Sequence, residues 1–143
     1  MARWPVPAAS GFTKDLEADW DRLFRASRDI AREIEKLRAA KALGKSTEAV
    51  VDLVTEDEAW HAALSKRAGD LAGIFMVSEV RLHKGQLPGA VKGTDAPPVS
   101  LAVAKSPHPK CERCWNLRAD VGQSPKHPAC CARCVAVLAE IGA

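Results

Sequence analysis

The stretch KCERCWNLRADVGQSPKHPACCARC, residues 110–134, contains all five cysteines of the chain. Four of them form two Cys-x-x-Cys pairs, Cys111 with Cys114 and Cys131 with Cys134. Both thiolates of such a pair can reach one ion from a single tight turn, and two pairs complete a closed tetrahedral site. The spacing therefore predicts one zinc ion per chain, bound by these four cysteines in a small ribbon.

Two alternatives at this site stay open. Cys130 can replace Cys131 as a ligand, although we prefer Cys131 because it gives two equivalent turns. A single iron takes the same four thiolates as zinc. Disulfides are not favoured, because five thiols cannot all pair and clustered cysteines in a reducing compartment are more often metal ligands.

Positive charge is concentrated around the cysteines. Residues 105–134 hold six basic and two acidic side chains, whereas the rest of the chain, out of 21 basic and 18 acidic in total, holds fifteen and sixteen. A zinc with four thiolates carries a formal charge of −2, so a polyanion needs such cations nearby. Arg113 and Trp115 flank Cys114, and a guanidinium or an indole can stack on an unpaired base. The simpler alternatives are that Trp115 covers the metal and that Arg113 is a solvated charge.

Upstream of the cysteines, the sequence predicts a long helix. Apolar residues recur at helical spacing over residues 13–43, with Thr13 as the N-terminal cap and Gly44 as the stop. On the polar side of this helix, Arg25 lies one turn from both Asp21 and Asp29, which predicts surface ion pairs.

Between the helix and the cysteines, the patterns predict a small sheet with helical cover. Its elements are a strand over 48–54, a helix from Thr55 through about Arg67, a strand over 73–82 and a partner strand over 99–106. Thr55 followed by Glu58 matches a capping box. The unbroken apolar start of GIFMVSEVRL, at 73–82, favours a central, buried strand. The predicted class is therefore α+β: a long N-terminal helix, a small helix-covered β-sheet and a C-terminal zinc-ribbon module with four cysteine ligands.

Composition excludes a membrane protein. The chain has 143 residues and no apolar run of the length that spans a bilayer. Its first ten residues lack the apolar block of a signal peptide. We therefore expect a cytoplasmic protein without a membrane partner.

The motif KCERCW at residues 110–115, followed by DVG, HP and Cys-Ala-Arg-Cys, resembles the C-terminal zinc module of bacterial isoleucyl-tRNA synthetases. The stretch from Trp20 to Ala49 is similar to the long helix and following strand that close the anticodon-binding region of that family. The resemblance implies three domains: residues 1–44 closing the anticodon-binding region, 45–106 as a small α/β junction domain and 107–143 as the zinc-binding module.

The resemblance also implies partners. Arg113 and Trp115 match family positions implicated in anticodon contact, and we expect Lys110, Arg118 and Lys126 to meet phosphates. The expected partners are an isoleucine-accepting tRNA and the remainder of a synthetase chain, in a monomeric enzyme.

The adenylate-forming signatures of this synthetase class, His-x-Gly-His and a Lys-Met-Ser-Lys-Ser-like loop, are not in the sequence. We therefore expect that the chain does not activate isoleucine alone. The expectation is that it is a C-terminal portion of an isoleucine–tRNA ligase or a free-standing appendage.

Three rival interpretations have less support. GKST, from Gly44, is not a phosphate-binding loop, because Ala39 stands where that motif has glycine. Formamidopyrimidine-DNA glycosylases have a similar zinc ribbon, but their catalytic Pro-Glu start is here Ala2 and Arg3. The third is a domain in which zinc has a purely structural role and which does not bind nucleic acid.

Overall fold

The computed structural model describes residue 11 and residues 13–142, so the prediction about a signal peptide concerns residues outside this range. The elements in chain order are α1 (Lys14–Ala39), a 3-10 helix (Ser46–Glu48), β1 (Ala49–Thr55), α2 (Glu58–Ser65), α3 (Leu71–Ile74), β2 (Glu79–His83), β3 (Val91–Lys92), β4 (Val99–Lys105) and α4 (Ala132–Glu140). The predicted α+β class, with a long N-terminal helix and a small sheet, is confirmed. Among the described residues, no helix is long and apolar enough to cross a membrane.

Strand β1 is one of the two central strands of the sheet, whose order is β2-β1-β4-β3. It runs parallel to β2, with Leu53 opposite Leu82, and antiparallel to β4, with Leu53 opposite Leu101. Six of its seven residues are buried, which is typical of a strand covered on both faces. Helix α1 packs against α2 and β4, and α2 also contacts β1.

Helix α1 is capped as predicted at its start but ends earlier than predicted. The Thr13 hydroxyl accepts the N–H of Leu16 at 3.2 Å. At the other end, the N–H groups of Lys41 and Ala42 donate to carbonyls one turn back, and Lys41 has a φ of 58°. This is the Schellman arrangement. Lys41, rather than the predicted Gly44, therefore ends the helix.

The prediction that GIFMVSEVRL forms the central strand is wrong. Strand β2 begins only at Glu79 and lies at the edge of the sheet. The apolar start of the stretch forms part of α3 and a turn at Met76, whose φ is 54°. Helix α3 and this turn together bury Leu71, Phe75 and Val77 in the core. A short apolar run fits a buried helix as well as a buried strand, and here the helix is formed.

The predicted capping box is also wrong. Helix α2 is capped by Asp57, whose carboxylate accepts the N–H of Trp60 at 3.0 Å. Thr55 instead ends β1, and its hydroxyl donates to the carbonyl of Pro98 at 2.8 Å. The partner strand over 99–106 is present as β4, and elements such as β3 and α4 lie in segments where none was predicted.

Asp29 is buried and ties the loop between β3 and β4 to α1. Its carboxylate accepts the N–H groups of Thr94 at 3.0 Å and Ala96 at 2.8 Å, together with that of Asp95. Burial by itself raises the pKa of Asp29, but these N–H groups and Arg32 lower it below its ordinary value. The predicted surface pair of Asp29 with Arg25 is therefore wrong, whereas the predicted pair of Arg25 with Asp21 is present at 3.8 Å.

Candidate metal centre and nucleic-acid interface

The two Cys-x-x-Cys pairs meet in one cluster. The Sγ atoms of Cys111, Cys114, Cys131 and Cys134 lie within 4.8 Å of one another, and only Cys114 is partly exposed. The Sγ atoms of Cys114 and Cys131 are 3.8 Å apart. That is about the edge of a tetrahedron with zinc–sulfur bonds of ~2.3 Å. The donor set and its spacing therefore fit a zinc ion.

The first pair lies in a tight hairpin. A bridge joins Lys110 to Leu117 at its base. Inside it, the N–H of Cys111 donates to the carbonyl of Asn116 at 2.9 Å, and the N–H of Trp115 donates to the carbonyl of Cys111 at 2.8 Å. The backbone of this short hairpin, which carries both sulfurs and the indole, is thus held by its own hydrogen bonds.

The second pair opens α4 and faces the first. Cys131 is the N-cap residue of that helix, and its N–H donates to the Sγ of Cys111 at 3.3 Å. Arg113 contributes as well, because its Nη1 donates to the Sγ of Cys134 at 3.8 Å. N–H donors from both halves of the cysteine module (residues 107–142) thus point at sulfur, which favours the thiolate forms.

The thiol pKa values show what a metal would change. Burial raises the pKa of Cys114, and it raises the pKa of Cys131 to about 12. Burial also acts on Cys111, but N–H donors from Cys114, Cys131 and Arg113 outweigh it and bring the pKa of Cys111 to about 6. Among the shifted thiols of the cluster, the pKa of Cys111 alone is lowered, whereas the pKa values of Cys114 and Cys131 are raised. A divalent cation deprotonates coordinating thiols outright, so the cluster suits a cation that compensates several negative charges.

Trp115 faces solvent rather than the core. Its side chain is 56% exposed, so the interpretation that it covers the metal as part of the core is not supported. Its φ of 66° lies in the left-handed region, which costs a bulky residue free energy and is concentrated at functional positions.

Lysine side chains gather around this indole. The Nζ atoms of Lys45 and Lys110 lie 5.1 and 5.5 Å from the ring centroid, within the range of a cation–π contact. A small cavity of about 190 Å³ adjoins the ring, and we name it the Trp115 pocket. Its charged and aromatic lining residues are Lys45, Glu48, Lys105, Lys110 and Trp115. The structure thus brings together two of the predicted contact residues, Lys110 and Trp115.

The other predicted contact residues lie elsewhere. Arg113 is exposed and directed at Cys134. Arg118 is half-buried and lines a different depression with Asp120, Glu79 and His108. Lys126 is exposed in the loop between the cysteine pairs. None of these three is among the residues that line the Trp115 pocket.

Cys130 lies outside the sulfur cluster. It is half-buried and lines a separate cavity with Asp120, Gln123 and Val135, and burial raises the pKa of its thiol. The group of sulfurs that lie within 4.8 Å of one another thus includes Cys131 and not Cys130, although Cys130 packs against this group.

Comparison with known proteins gives two kinds of match. Residues 109–137 match the family described as zinc finger found in FPG and IleRS. Isoleucine–tRNA ligases align along most of the chain: that of Bordetella pertussis is 38% identical over 92% of this chain, that of Pseudomonas putida 37% over 87% and that of Moorella thermoacetica 33% over 99%.

The chain is homologous to the C-terminal, zinc-binding part of isoleucyl-tRNA synthetase. It spans only 12%, 13% and 15% of the length of these three synthetases. The zinc-finger match and the cysteine cluster together confirm zinc as the cofactor. The zinc-finger family model covers residues 109–137 alone, whereas the synthetases align along most of the chain.

Sequence reasoning missed part of the surface around Trp115. Lys45 and Lys105 join the pocket although they precede the synthetase-like CERCW motif in the chain. Lys105 belongs to the basic excess around the cysteines, but nothing in the sequence pairs it with Trp115. Lys45 belongs to the GKST stretch, which is not a phosphate-binding loop of the strand–loop–helix kind, because α1 precedes it.

Proposed function

We propose that this chain is the anticodon-binding C-terminal part of an isoleucyl-tRNA synthetase. One zinc, bound by Cys111, Cys114, Cys131 and Cys134, holds a hairpin that presents Trp115 to the anticodon stem-loop of an isoleucine tRNA. The observation that carries the proposal is the exposed indole, in a costly backbone conformation and flanked by two lysines.

Zinc has a structural role in this proposal. The described residues of the cysteine module have few other means of holding their shape, because their buried cluster consists of three cysteines. A fixed hairpin can present an aromatic ring without ordering a loop upon binding, which lowers the entropic cost of association. Arg113 would reach the nucleic acid from beside Cys134, and Lys110, Arg118 and Lys126 would meet phosphates.

The chain would act as one part of a larger enzyme. In the proposed assignment, residues 1–44 close the anticodon-binding region, 45–106 form the junction domain and 107–143 form the zinc module. Isoleucine activation would belong to the remainder of a monomeric, cytoplasmic synthetase, and this chain alone would give no isoleucine-dependent pyrophosphate exchange.

A titration of the zinc-loaded chain with an isoleucine tRNA anticodon stem-loop tests the proposal. A second stem-loop with an altered anticodon measures discrimination. Trp115→Ala should weaken cognate binding by roughly 1–3 kcal/mol and reduce discrimination, because a base-stacking surface is lost. Lys126→Ala should weaken both stem-loops alike and reduce the salt slope by about one unit. If the Trp115 variant keeps zinc and fold yet binds as the parent does, the recognition role fails.

A purely structural module is the second candidate, and the bond from Arg113 to the Sγ of Cys134 favours it. In that case Arg113→Ala would weaken zinc binding, and the parent would show no steeply salt-dependent affinity for the stem-loop. Zinc competition with a chromophoric chelator, carried out beside the tRNA titration, separates the two candidates.

A further inference from the structure

The Trp115 pocket joins the cysteine module to the sheet. Lys110 and Trp115 come from the hairpin, Lys105 is the last residue of β4, and Lys45 precedes the 3-10 helix. Three lysines therefore line one small cavity, which has Glu48 as its one acidic lining residue. Like charges held together repel one another unless an anion or the solvent compensates them.

The carboxylate of Glu48 already has two partners. Its Oε2 accepts the N–H of Gly44 at 3.1 Å and lies 3.7 Å from the Nζ of Lys105. Within the described part of the chain, none of the ion pairs includes Lys45 or Lys110. Both ammonium groups instead lie against the indole. The pocket thus has an excess of positive charge beside an aromatic ring.

Ser78 holds the two sides of the pocket in place. This residue is 2% exposed. Its hydroxyl accepts the N–H of Leu117 at 2.7 Å and donates to the carbonyl of Thr47. Leu117 pairs with Lys110 across the hairpin, and Thr47 is two residues from Lys45. One buried hydroxyl therefore connects the backbone near Lys45 with the backbone near Lys110, so the two segments that carry these lysines are held together before any ligand arrives.

We propose that the Trp115 pocket binds a backbone phosphate of single-stranded RNA, with Lys45 and Lys105 as contact residues beyond the zinc module. This inference rests on the proposed function, because the adjoining base would be the one that stacks on Trp115. A cavity of about 190 Å³ is smaller than the roughly 300–1,000 Å³ of pockets for whole small molecules. It therefore suits one oxyanion rather than a nucleotide.

The test compares Lys45→Gln and Lys105→Gln with the control Lys92→Gln. Lys92 is an exposed lysine of β3, at the opposite edge of the sheet from β2, and does not line the pocket. Binding of the anticodon stem-loop is measured over a range of salt concentrations. Each pocket variant should lower the salt slope by about one unit and lose more affinity at low salt than at high salt, because one phosphate contact is gone. The control should follow the parent.

Inorganic phosphate, titrated separately while the indole N–H resonance of Trp115 is followed, distinguishes the possible sources of the oxyanion. We expect a shift of this resonance in the parent and in Lys92→Gln, and a much smaller shift in both pocket variants. If both pocket variants keep the parent's salt slope while Trp115→Ala binds more weakly, the phosphate site is overturned and the anticodon role stands. If phosphate binds but the stem-loop does not bind to the parent, the assignment to RNA and the proposed function both fail, and the pocket binds an oxyanion of another origin.

Discussion

The sheet region and the cysteine module are built on different principles. Sixteen buried residues from α1, the strands and the connecting helices form one continuous core in the sheet region. In the described part of the module, the corresponding cluster consists of the three cysteines 111, 131 and 134. Apolar burial stabilises the first, at about 25 cal/mol per Å² of apolar area. The second has little such area and therefore depends on its metal.

The largest effect expected from this difference is the loss of the metal. Cys111→Ser removes a buried donor from the cluster and should release zinc and unfold the module, because structural zinc contributes on the order of 10 kcal/mol to domains of this size. The sheet should remain folded, since its core lies outside the module. Elemental analysis gives the zinc content, and amide resonances show which region has lost its structure.

Cys130→Ser is the matched control for that experiment, because Cys130 lies next to Cys131 in sequence but outside the sulfur cluster. It should retain one zinc per chain. Zinc loss in Cys130→Ser together with retention in Cys131→Ser would overturn the choice of ligand.

The next effect is expected in the sheet region, at Asp29. Asp29→Ala removes the acceptor for the N–H groups of Thr94, Asp95 and Ala96. It should lower the free energy of unfolding by about 3 kcal/mol, because each buried donor left unpaired costs roughly 1–3 kcal/mol and only part of this loop is inaccessible to water. Urea denaturation followed by tryptophan fluorescence measures the change.

Asp21→Ala is the control for this variant. Asp21 is 63% exposed and pairs with Arg25 at 3.8 Å, so the change should cost less than about 1 kcal/mol. Zinc content should not change in either variant. Zinc release that coincides with unfolding in Asp29→Ala would show that the sheet region and the module form one cooperative unit rather than two independently stabilised regions.

Gly93 offers an independent way to disturb the same contact. A Cβ added there would lie 2.5 Å from the carbonyl oxygen of Ala96 and 2.7 Å from Oδ2 of Asp29. The clash involves backbone, so a small side-chain movement cannot relieve it. Gly93→Ala should therefore destabilise the sheet region in the same direction as Asp29→Ala, and a neutral result would show that this loop can shift at little cost.

The cysteine cluster could be predicted from the sequence because the two cysteines of each pair are close together in the chain. Two residues between thiols fix a turn whatever the rest of the chain does. The start of α1 was equally accessible, since Thr13 and Leu16 are neighbours in sequence. The contact of Asp29 with the loop at Ala96 was not, because its partners lie 65–67 positions away. A carboxylate one turn from an arginine is typical of a solvated helix face. Asp29 was therefore predicted to lie on the surface, although it is buried.

The Trp115 pocket could not be predicted for the same reason. Its lysines come from three segments, and their approach depends on the pairing of β1 with β4 and on the contacts of Ser78. The edge position of β2 could not be predicted from the sequence either. The apolar start of residues 73–82 is compatible with a strand or with a helix, and tertiary packing decides which of the two forms.

On acidification, the cysteine module should lose its zinc before the sheet region unfolds. The pKa of Asp29 is lowered by folding. The stabilisation from Asp29 is thus fully present above its unfolded value of about 3.9 and is lost as the pH falls through the lower folded value. Zinc should leave at a higher pH, because protons compete with the metal for thiolates. Zinc release followed by a chromophoric chelator should precede the loss of sheet structure followed by circular dichroism, and Asp29→Ala should weaken only the acid dependence of the second transition.

The smallest effect on stability, and the sharpest test of the exposed indole, is expected at Trp115. Both Trp115→Ala and Trp115→Gly remove the ring, but only glycine takes a φ of 66° without a steric penalty. The glycine variant should therefore be more stable than the alanine variant by about 1 kcal/mol. Both should keep zinc, since the ring is 56% exposed. Both should also lose affinity for the anticodon stem-loop to the same extent, because recognition requires the ring and not the backbone strain.

Chelator competition, thermal unfolding and stem-loop titration of the two variants measure these quantities side by side. Zinc loss in both variants would mean that the ring protects the metal. Equal stability of the two would mean that the left-handed conformation costs nothing, and the strain would then no longer support a functional role for Trp115.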